Sequence, residues 1–442
     1  ITVLKFGGTS MGGAKAISAA ADILMSISGE RVAVVSATAG TTDALIELGE
    51  QALAGSEWEQ SLQALIDKHQ KIIEDLELDL DLGEFWEEMR NLLQGVSLIL
   101  ELSLSARDRL LSFGERVSST ILAGLLEQRG FPARSVDAHN FIYTNNNFGE
   151  GNVLFEKTNL ATRETLLPLL ESGTIPVVTG FIAQAENGHY ITLGRGGSDY
   201  TAAILAAALD ACELQIWTDV DGIYNTDPRL VPEAHVLPQL SFYEASELAY
   251  FGAKVLHPKT IRPAVNRNIP VRILNTFNVS APGTLITNDE EESIKSVTYK
   301  GGVTIINICS GGMLEAHGFL AKIFEVFARH NVVVDVVSTS EVSVSLTVNS
   351  SVSQEVLDEL SAFSSVSVYE NMAIVCLVGN GIRTNAGILG NLFSSLTDYN
   401  IGMVSQGASQ RNITFLVNEN EVSQVVKDVF QKFFLNPQKN EH

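Results

Sequence analysis

The sequence predicts an α/β protein with a three-layer αβα sandwich over residues 1–292, followed by two small α+β units over residues 293–371 and 372–442. Two observations support this division. Up to about residue 294, short runs rich in β-branched residues alternate with helical stretches, which is typical of a mostly parallel sheet covered on both faces. Beyond that point, a strand–helix–strand–strand–helix–strand order occurs twice.

The strands of the first domain are predicted from continuous apolar runs that end in small or polar residues. The clearest runs are residues 1–4, 31–36, 175–180 and 214–218. Because ligands of open parallel sheets bind at the carboxyl ends of the strands, we expect the functional residues at these ends.

A leucine-rich helical tract fills residues 57–129 and is predicted to break near Gly83 and Gly95. Within it, Ser112-Phe113-Gly114-Glu115-Arg116 interrupts the helical period. Taken alone, this stretch is most simply a solvated Glu–Arg pair at a helix start.

The C-terminal part is predicted to be an internal duplication of a ferredoxin-like unit. The first copy has strands at 303–309, 332–338, 342–348 and 366–369, with helices at 319–329 and 354–363. The second copy has strands at 372–378, 401–406 and 412–417, with helices at 386–398 and 422–433. The second copy lacks a closing strand, so we expect residues 293–300 to supply it and to interlock the two copies.

Composition and charge exclude several classes of function. The chain has 52 acidic and 29 basic residues and a formal charge of −23, which repels nucleic acid and anionic membranes, so an anionic substrate needs a local basic pocket. Cys212, Cys309 and Cys376 are far apart in apolar runs, which predicts buried thiols and no metal site. The sequence has neither a long uncharged apolar run nor a signal-peptide pattern, so we expect a cytoplasmic protein without membrane partners.

The first strand leads into Lys5-Phe6-Gly7-Gly8-Thr9-Ser10 and then a helical run, a pattern that predicts a phosphate-binding turn. The two glycines free the backbone N–H groups, and Lys5 adds a full positive charge. A tight turn with a surface lysine is the plainer interpretation. The spacing does not match a Walker loop. However, residues 8–12 do match the Gly-x-Ser-x-Gly nucleophile elbow, so a serine hydrolase using Ser10 is an alternative.

Three further motifs fall at predicted strand ends or turns. The Gly-rich stretch at residues 194–199 holds Arg195 at a helix start, a geometry suited to gripping a carboxylate or phosphate. Residues 217–229 combine a strand end, an aromatic residue and an Asp-Pro-Arg turn, which could hold a nucleoside or form an acidic turn. In the third motif, Phe251-Gly252-Ala253-Lys254-Val255-Leu256-His257-Pro258, Lys254 offers a second positive charge.

Together, the motifs at residues 5–10, 112–115, 194–199, 217–224 and 251–258 closely resemble those of aspartate kinases of the amino-acid kinase superfamily. The C-terminal duplication resembles the two ACT domains of the monofunctional, lysine-sensitive type. The resemblance covers essentially the whole chain and disfavours the hydrolase, because no ordered Asp and His signature accompanies Ser10. It implies phosphorylation of the β-carboxylate of L-aspartate by ATP with Mg²⁺, the first step of lysine, threonine, methionine and diaminopimelate biosynthesis.

The resemblance also implies roles for individual residues. Catalytic roles fall to Lys5, Asp199 and Lys254. The implied aspartate-binding residues are Thr42, Glu115, Arg195, Gly196, Gly197 and Ser198. The implied ATP-binding residues are Lys5, Phe6, Gly7, Gly8, Thr218, Asp219, Tyr224, Arg229, Lys254 and Val255.

Regulation is implied by the same resemblance. L-Lysine is expected as the allosteric effector, with threonine as the alternative, at Met313, Gly318, Phe319, Leu320, Val334, Asp335, Ser340 and Glu341. A homodimer through the ACT units is expected, with a tetramer as the alternative. We do not expect a homoserine dehydrogenase domain. Two alternatives remain open: an inactive kinase fold that senses an amino acid, and a kinase for glutamate or N-acetylglutamate. The Glu115 motif disfavours an N-acetylated substrate.

Overall fold

The computed structural model describes residues 1–251, 256–313, 317–349, 351–407 and 409–435. These residues divide into two compact units. The first unit comprises residues 1–223 and 256–288, and the second comprises residues 224–251 together with the described residues from 289 onward. Across the described ranges, no helix is both long and apolar enough to cross a membrane.

The helices of the described residues are numbered in chain order. They are α1 (Ala14–Ser26), α2 (Thr41–Leu53), α3 (Trp58–Asp75), α4 (Gly83–Ile99), α5 (Leu104–Gln128), α6 (Phe155–Glu171), α7 (Gly197–Ala208), α8 (Phe242–Tyr250), α9 (Arg262–Asn266), α10 (Phe319–Arg329), α11 (Gln354–Ser361), α12 (Ile388–Ser394) and α13 (Val422–Phe430).

The strands are numbered in the same way. They are β1 (Thr2–Phe6), β2 (Arg31–Val35), β3 (Ala133–Val136), β4 (Tyr143–Thr144), β5 (Ile175–Thr179), β6 (Ile182–Ala185), β7 (Tyr190–Thr192), β8 (Glu213–Thr218), β9 (Gln239–Ser241), β10 (Val271–Asn275), β11 (Thr284–Thr287), β12 (Ile294–Cys309), β13 (Val334–Thr339), β14 (Ser343–Asn349), β15 (Ser365–Gly379), β16 (Met403–Gln406) and β17 (Asn412–Asn418).

The first unit is built on a sheet in which seven strands follow the order β3-β5-β2-β1-β8-β10-β11. The neighbouring pairs are parallel except for β10 and β11, which confirms the predicted α/β class. Leu4 and Phe6 of β1 pack into an apolar cluster with α1 and α5. The alanine-rich helix α7 packs on β1 and β8. Strand β1 therefore lies at the centre of the sheet, and its carboxyl end, with that of β8, opens at one edge.

The helical tract breaks just before Gly83, as predicted, but not near Gly95. Gly83 begins α4, but Gly95 lies inside that helix, where one exposed glycine costs only about 1 kcal/mol. The chain instead breaks at Leu100, which adopts a left-handed conformation with φ of 52°. The stretch from Ser112 to Arg116 is in the buried middle of α5 and not at a solvated helix start. That interpretation was wrong because α5 is packed between the sheet and other helices.

The second unit contains a single six-stranded sheet in the order β13-β14-β12-β15-β17-β16. Strands β12 and β15 are long and antiparallel, and each serves both repeats. Residues 294–300 of β12 pair with residues 374–379 of β15, and residues 305–309 pair with 365–369. The strands expected separately at 366–369 and 372–378 are thus one strand, and residues 294–300 run beside the second repeat as its closing strand.

The three cysteines do not share one environment. Cys376 is buried in β15, as expected, whereas Cys212 and Cys309 are exposed. Both exposed thiols lie at strand ends, just before β8 and at the last residue of β12, where the apolar run no longer implies burial.

Candidate active site

The glycine turn after β1 is held at the carboxyl edge of the sheet. The N–H of Gly7 donates to the carbonyl of Trp217 at 3.2 Å. A Cβ atom on Gly7 would lie 3.4 Å from Nζ of Lys5, so the ammonium group lies next to the turn. The hydroxyl of Ser10 is fully buried, donates to the carbonyl of Trp217 at 3.1 Å and lies 2.7 Å from Oγ1 of Thr276. Ser10 is therefore a structural residue, which removes the hydrolase alternative.

Lys5 meets the start of α7 through an ion pair. Its Nζ lies 2.6 Å from Oδ1 of Asp199, and both side chains are largely buried. Gly196 caps the helix in a left-handed conformation with φ of 72°. A Cβ atom on Gly197 would lie only 2.7 Å from the Phe181 ring, so the close packing of this loop against Phe181 requires glycine. The predicted catalytic pair Lys5 and Asp199 is thus brought together, and Arg195 is exposed beside it.

Glu115 projects from the middle of α5 and is only 4 % exposed. Its Oε1 accepts from the N–H of Ala37 at 3.1 Å, while Oε2 is buried and has no hydrogen-bond partner among the described residues. Burial raises the pKa of this carboxyl group to about 8. A Cβ atom on Gly114 would lie 2.6 Å from Cβ of Ala37, so glycine is what lets α5 approach the loop after β2.

These groups surround one cavity of about 590 Å³. Its lining includes Lys5, Gly8, Thr42, Glu115, Arg195, Gly196, Gly197, Ser198 and Asp199. All six residues predicted to bind aspartate are therefore in its wall. The cavity offers three positive side chains, from Lys5, Arg107 and Arg195, together with one unpaired buried carboxyl oxygen, hydroxyl groups and the N-terminus of α7. This set suits a small molecule that carries both an ammonium and carboxylate groups.

The predicted nucleotide residues are distributed over both units. Thr218 ends β8, which is the parallel neighbour of β1, so Thr218 and Asp219 lie at the same sheet edge as Gly7 and Gly8. The ring of Phe6 is fully buried against Trp217, so only the backbone of Phe6 is available to a ligand.

Two of the remaining nucleotide residues belong to the second unit, and two cannot be described. Tyr224 and Arg229 lie in the second unit. Arg229 pairs with Asp227 at 2.7 Å, and the pKa of that carboxyl is lowered chiefly by the hydrogen bond from Arg229. Lys254 and Val255 fall outside the described residues.

The predicted effector residues are in the first repeat of the second unit. Gly318 caps α10 in a left-handed conformation, and Phe319 packs edge-on against Phe363. The remaining predicted positions are Met313 on a short 3₁₀ turn, Leu320 on α10, Val334 on β13, and Ser340 and Glu341 in the turn before β14.

Asp335 differs from the other predicted effector residues because its carboxylate is already engaged. Its side chain is 1 % exposed, and Oδ2 lies 2.7 Å from Nζ of Lys300. The hydroxyl of Tyr250 donates to Oδ1 at 2.5 Å. Burial, with help from this carboxylate, raises the pKa of Tyr250. Asp335 therefore binds an ammonium group from its own chain.

Sequence reasoning missed several residues of the cavity wall. Leu104, Asp108 and Leu111 line it together with Glu115. Their spacing of four, three and four residues places them on one face of α5. Asp108 is buried and accepts from the N–H groups of Gly149 and Thr192 at 2.8 and 2.9 Å. Counting back from Glu115 by helical turns would have found this face.

Two known families match this chain, each over a different part of it. Residues 1–275 match the amino acid kinase family, and residues 306–362 and 375–433 match the ACT domain. Aspartokinase 1, chloroplastic, of Arabidopsis thaliana is 39 % identical over 98 % of this chain and 80 % of its own length. Lysine-sensitive aspartokinase 3 of Escherichia coli is 38 % identical over 98 % of this chain and 99 % of its own length.

Solved structures agree with the sequence relatives. Escherichia coli aspartokinase III in complex with aspartate and ADP, described as the R-state, superposes with a TM-score of 0.83 at 37 % identity, over 98 % of this chain and all of that one. The complex of the same enzyme with lysine and aspartate, described as the T-state, gives a TM-score of 0.84 at 38 % identity, over 98 % and 99 %. With its central glycine turn, its Lys5–Asp199 pair and its duplicated C-terminal unit, this chain belongs to the aspartokinase family, an amino acid kinase domain joined to ACT domains.

Proposed function

We propose that the protein transfers the γ-phosphoryl group of ATP to the β-carboxylate of L-aspartate, giving ADP and 4-phospho-L-aspartate. The observation that carries this proposal is the buried, unpartnered Oε2 of Glu115 in a cavity that also contains Arg195 and Lys5. An amino acid with a free ammonium group satisfies that oxygen, and an N-acetylated one leaves it unpaired. The aspartate and ADP bound to the Escherichia coli relative agree with this chemistry.

The proposed reaction needs no general base. A free β-carboxylate, with a pKa of about 3.9, is already ionised at neutral pH and acts as the nucleophile. The task of the site is to bring this anion to an anionic triphosphate. Lys5 and the N–H groups of Gly7 and Gly8 hold the transferred phosphoryl group, and Arg195 holds the α-carboxylate. Asp199 fixes the position of the Lys5 ammonium group through their 2.6 Å contact.

ATP enters this proposal as its Mg²⁺ complex. Within the part of the chain that the structure describes, no group of three or more His, Cys, Asp or Glu side chains could hold a metal ion. Mg²⁺ commonly keeps several waters and is bound through substrate phosphates with one or two carboxylates. We therefore assign the ion to the phosphates of the substrate, where it neutralises their charge.

The test of the catalytic proposal is a comparison of acceptors. ADP release would be measured with ATP, Mg²⁺ and either L-aspartate, L-glutamate or N-acetyl-L-glutamate, with hydroxylamine present to trap an acyl phosphate as its hydroxamate. We expect hydroxamate in step with ADP for aspartate and background rates for the other two. Turnover with N-acetyl-L-glutamate would overturn the role of Glu115, and no turnover with any acceptor would leave a binding protein.

We also propose that L-lysine inhibits the enzyme through the first repeat, at the eight predicted effector positions. The lysine-bound structure of the Escherichia coli relative supports this. In the present chain Asp335 already accepts the ammonium group of Lys300. A bound lysine therefore competes with Lys300 for this carboxylate, which offers a physical reason why effector binding would rearrange the second unit.

The proposed assembly is a homodimer formed through the ACT units, with a tetramer as the alternative. Exposed apolar side chains of the first repeat offer a surface that a second copy could cover: Leu320, Phe324, Val333 and Val337. Sedimentation with and without lysine measures the assembly directly. A monomer at micromolar concentration under both conditions would contradict the proposal.

A further inference from the structure

The loop from Thr38 to Thr42 forms one wall of the substrate cavity. Helix α3 supports this loop from the side away from the ligand, through two consecutive residues. Nζ of Lys68 donates to the carbonyl of Ala39 at 2.6 Å and to Oγ1 of Thr41 at 3.0 Å. Nε2 of His69 lies 3.0 Å from Oγ1 of Thr38. Neither Lys68 nor His69 lines the cavity, so both can act only through the loop.

The hydrogen bonds form one chain whose direction is set at both ends. An ammonium group can only donate, and a carbonyl can only accept. Lys68 therefore donates to Thr41, whose hydroxyl lies 2.6 Å from that of Thr38. At the other end, Nδ1 of His69 is 2.8 Å from the carbonyl of Leu65 and must carry the hydrogen. Nε2 is then free to accept from Thr38, which in turn accepts from Thr41, so every group has a partner.

The surroundings keep this chain intact. Thr38, Thr41 and His69 are each almost completely buried. Burial, with a smaller contribution from the Lys68 charge, lowers the pKa of His69 to about 4, so the ring stays neutral near pH 7. The ring also packs on Trp86, at a centroid distance of 5.5 Å. Inside the loop, Gly40 has φ of 72°, a left-handed conformation that glycine adopts without strain.

We propose that Lys68 and His69 are positioning residues that fix the loop over residues 38–42 so that Thr42 presents its hydroxyl group to the substrate. The inference rests on the proposed function, because the contact of Thr42 with aspartate is part of that function. Loss of the two charged hydrogen bonds that Lys68 donates to the loop should raise the KM for aspartate by about tenfold. ATP does not touch this loop in the proposal, so the KM for ATP should not change.

The kinetic test uses a matched pair of variants on one helix. Lys68→Met removes the donor, and Lys71→Met makes the same change at an exposed position of α3 three residues away. We expect a raised aspartate KM only for Lys68→Met, and recovery of most of the affinity in Lys68→Arg, which keeps the donor. Equal behaviour of the two methionine variants, or equal changes in both KM values, would overturn the inference.

A second measurement does not depend on turnover. Amide hydrogen exchange without ligands should be faster over residues 38–42 in Lys68→Met than in Lys71→Met, while the strands of the sheet stay protected. Unchanged exchange would overturn the positioning role, whatever the kinetics. Faster exchange in a protein that does not phosphorylate aspartate would support the role of Lys68 and refute the proposed function, so the two failures are distinguishable.

Discussion

Replacing Glu115 by glutamine would isolate the charge of the proposed ammonium partner while keeping its size. Glu115 is 4 % exposed, its Oε1 is held by the N–H of Ala37, and its Oε2 has no partner among the described residues. Burial raises the pKa of the group to about 8 in the free protein. Near pH 7 most molecules therefore hold Glu115 in its neutral form, and a bound substrate ammonium must displace that proton.

The size of the effect follows from this pKa. With a pKa of about 8, roughly one molecule in ten has an ionised Glu115 at pH 7. If only the ionised form binds the ammonium group, the aspartate KM at pH 7 is about tenfold above its value at high pH. As the pH rises towards 8, Glu115 ionises and the KM falls by up to about tenfold per pH unit. Glu115→Gln should remove this slope and raise the KM at pH 8 by about 10- to 150-fold.

The assay is steady-state ADP release at saturating ATP, with aspartate varied between about pH 6 and pH 8. Glu127→Gln, an exposed change near the end of the same helix, is the control and should behave as the wild type. A wild-type KM that does not change with pH would refute the argument. So would a Glu115→Gln variant that keeps the wild-type slope.

Four further outcomes are expected. Arg195→Ala should lower the apparent affinity for aspartate by about 10- to 150-fold and leave the affinity for ATP largely unchanged. An equal loss of affinity for both ligands would show that Arg195 does not hold the α-carboxylate. Lys300→Met should lower the lysine concentration for half-inhibition by about tenfold, because the effector lysine no longer competes with Lys300 for the Asp335 carboxylate. A higher concentration for half-inhibition would contradict this competition. Ser10→Ala should keep kcat and lose about 1–3 kcal/mol of stability, since two buried partners lose a hydrogen bond. Loss of kcat without loss of stability would contradict the purely structural role of Ser10. Glu115→Gln should raise Tm more at pH 8 than at pH 5, because the pKa of Glu115 is higher in the folded than in the unfolded protein and its stabilisation is lost as pH rises to about 8; thermal unfolding at both pH values checks this.

The elements that could be predicted from the sequence are those with a strong local signal. Strands β1, β2, β5 and β8 are buried on both faces, so they appear as unbroken apolar runs and were found. Helix α10 was placed at residues 319–329, where it lies, because its apolar stripe is regular and Gly318 marks its start. The Gly-rich start of α7 could be predicted because Gly196 is left-handed and a Cβ atom on Gly197 would lie 2.7 Å from the Phe181 ring, so both positions favour glycine.

The contacts that could not be predicted join residues distant in sequence. Nothing near Glu115 indicates that it is buried against Ala37, 78 positions away. Likewise, His69 appears as one polar residue in a polar helix, and only the fold brings it to Thr38. The pair between Asp335 and Lys300 joins β13 and β12, which are not neighbours in the sheet, and periodicity does not encode such a contact. The break at Leu100 was missed because leucine seldom adopts a left-handed conformation.

The central claim, a lysine-regulated kinase for aspartate, is tested most directly by one titration. ADP release and hydroxamate formation would be followed together with ATP, Mg²⁺ and a subsaturating aspartate concentration, while L-lysine, L-threonine or L-methionine is added. We predict equal amounts of ADP and hydroxamate, suppressed in parallel by lysine alone. ADP release without hydroxamate would contradict a carboxylate as the phosphoryl acceptor. Turnover that does not change with lysine would contradict the proposed competition between lysine and Lys300 for Asp335.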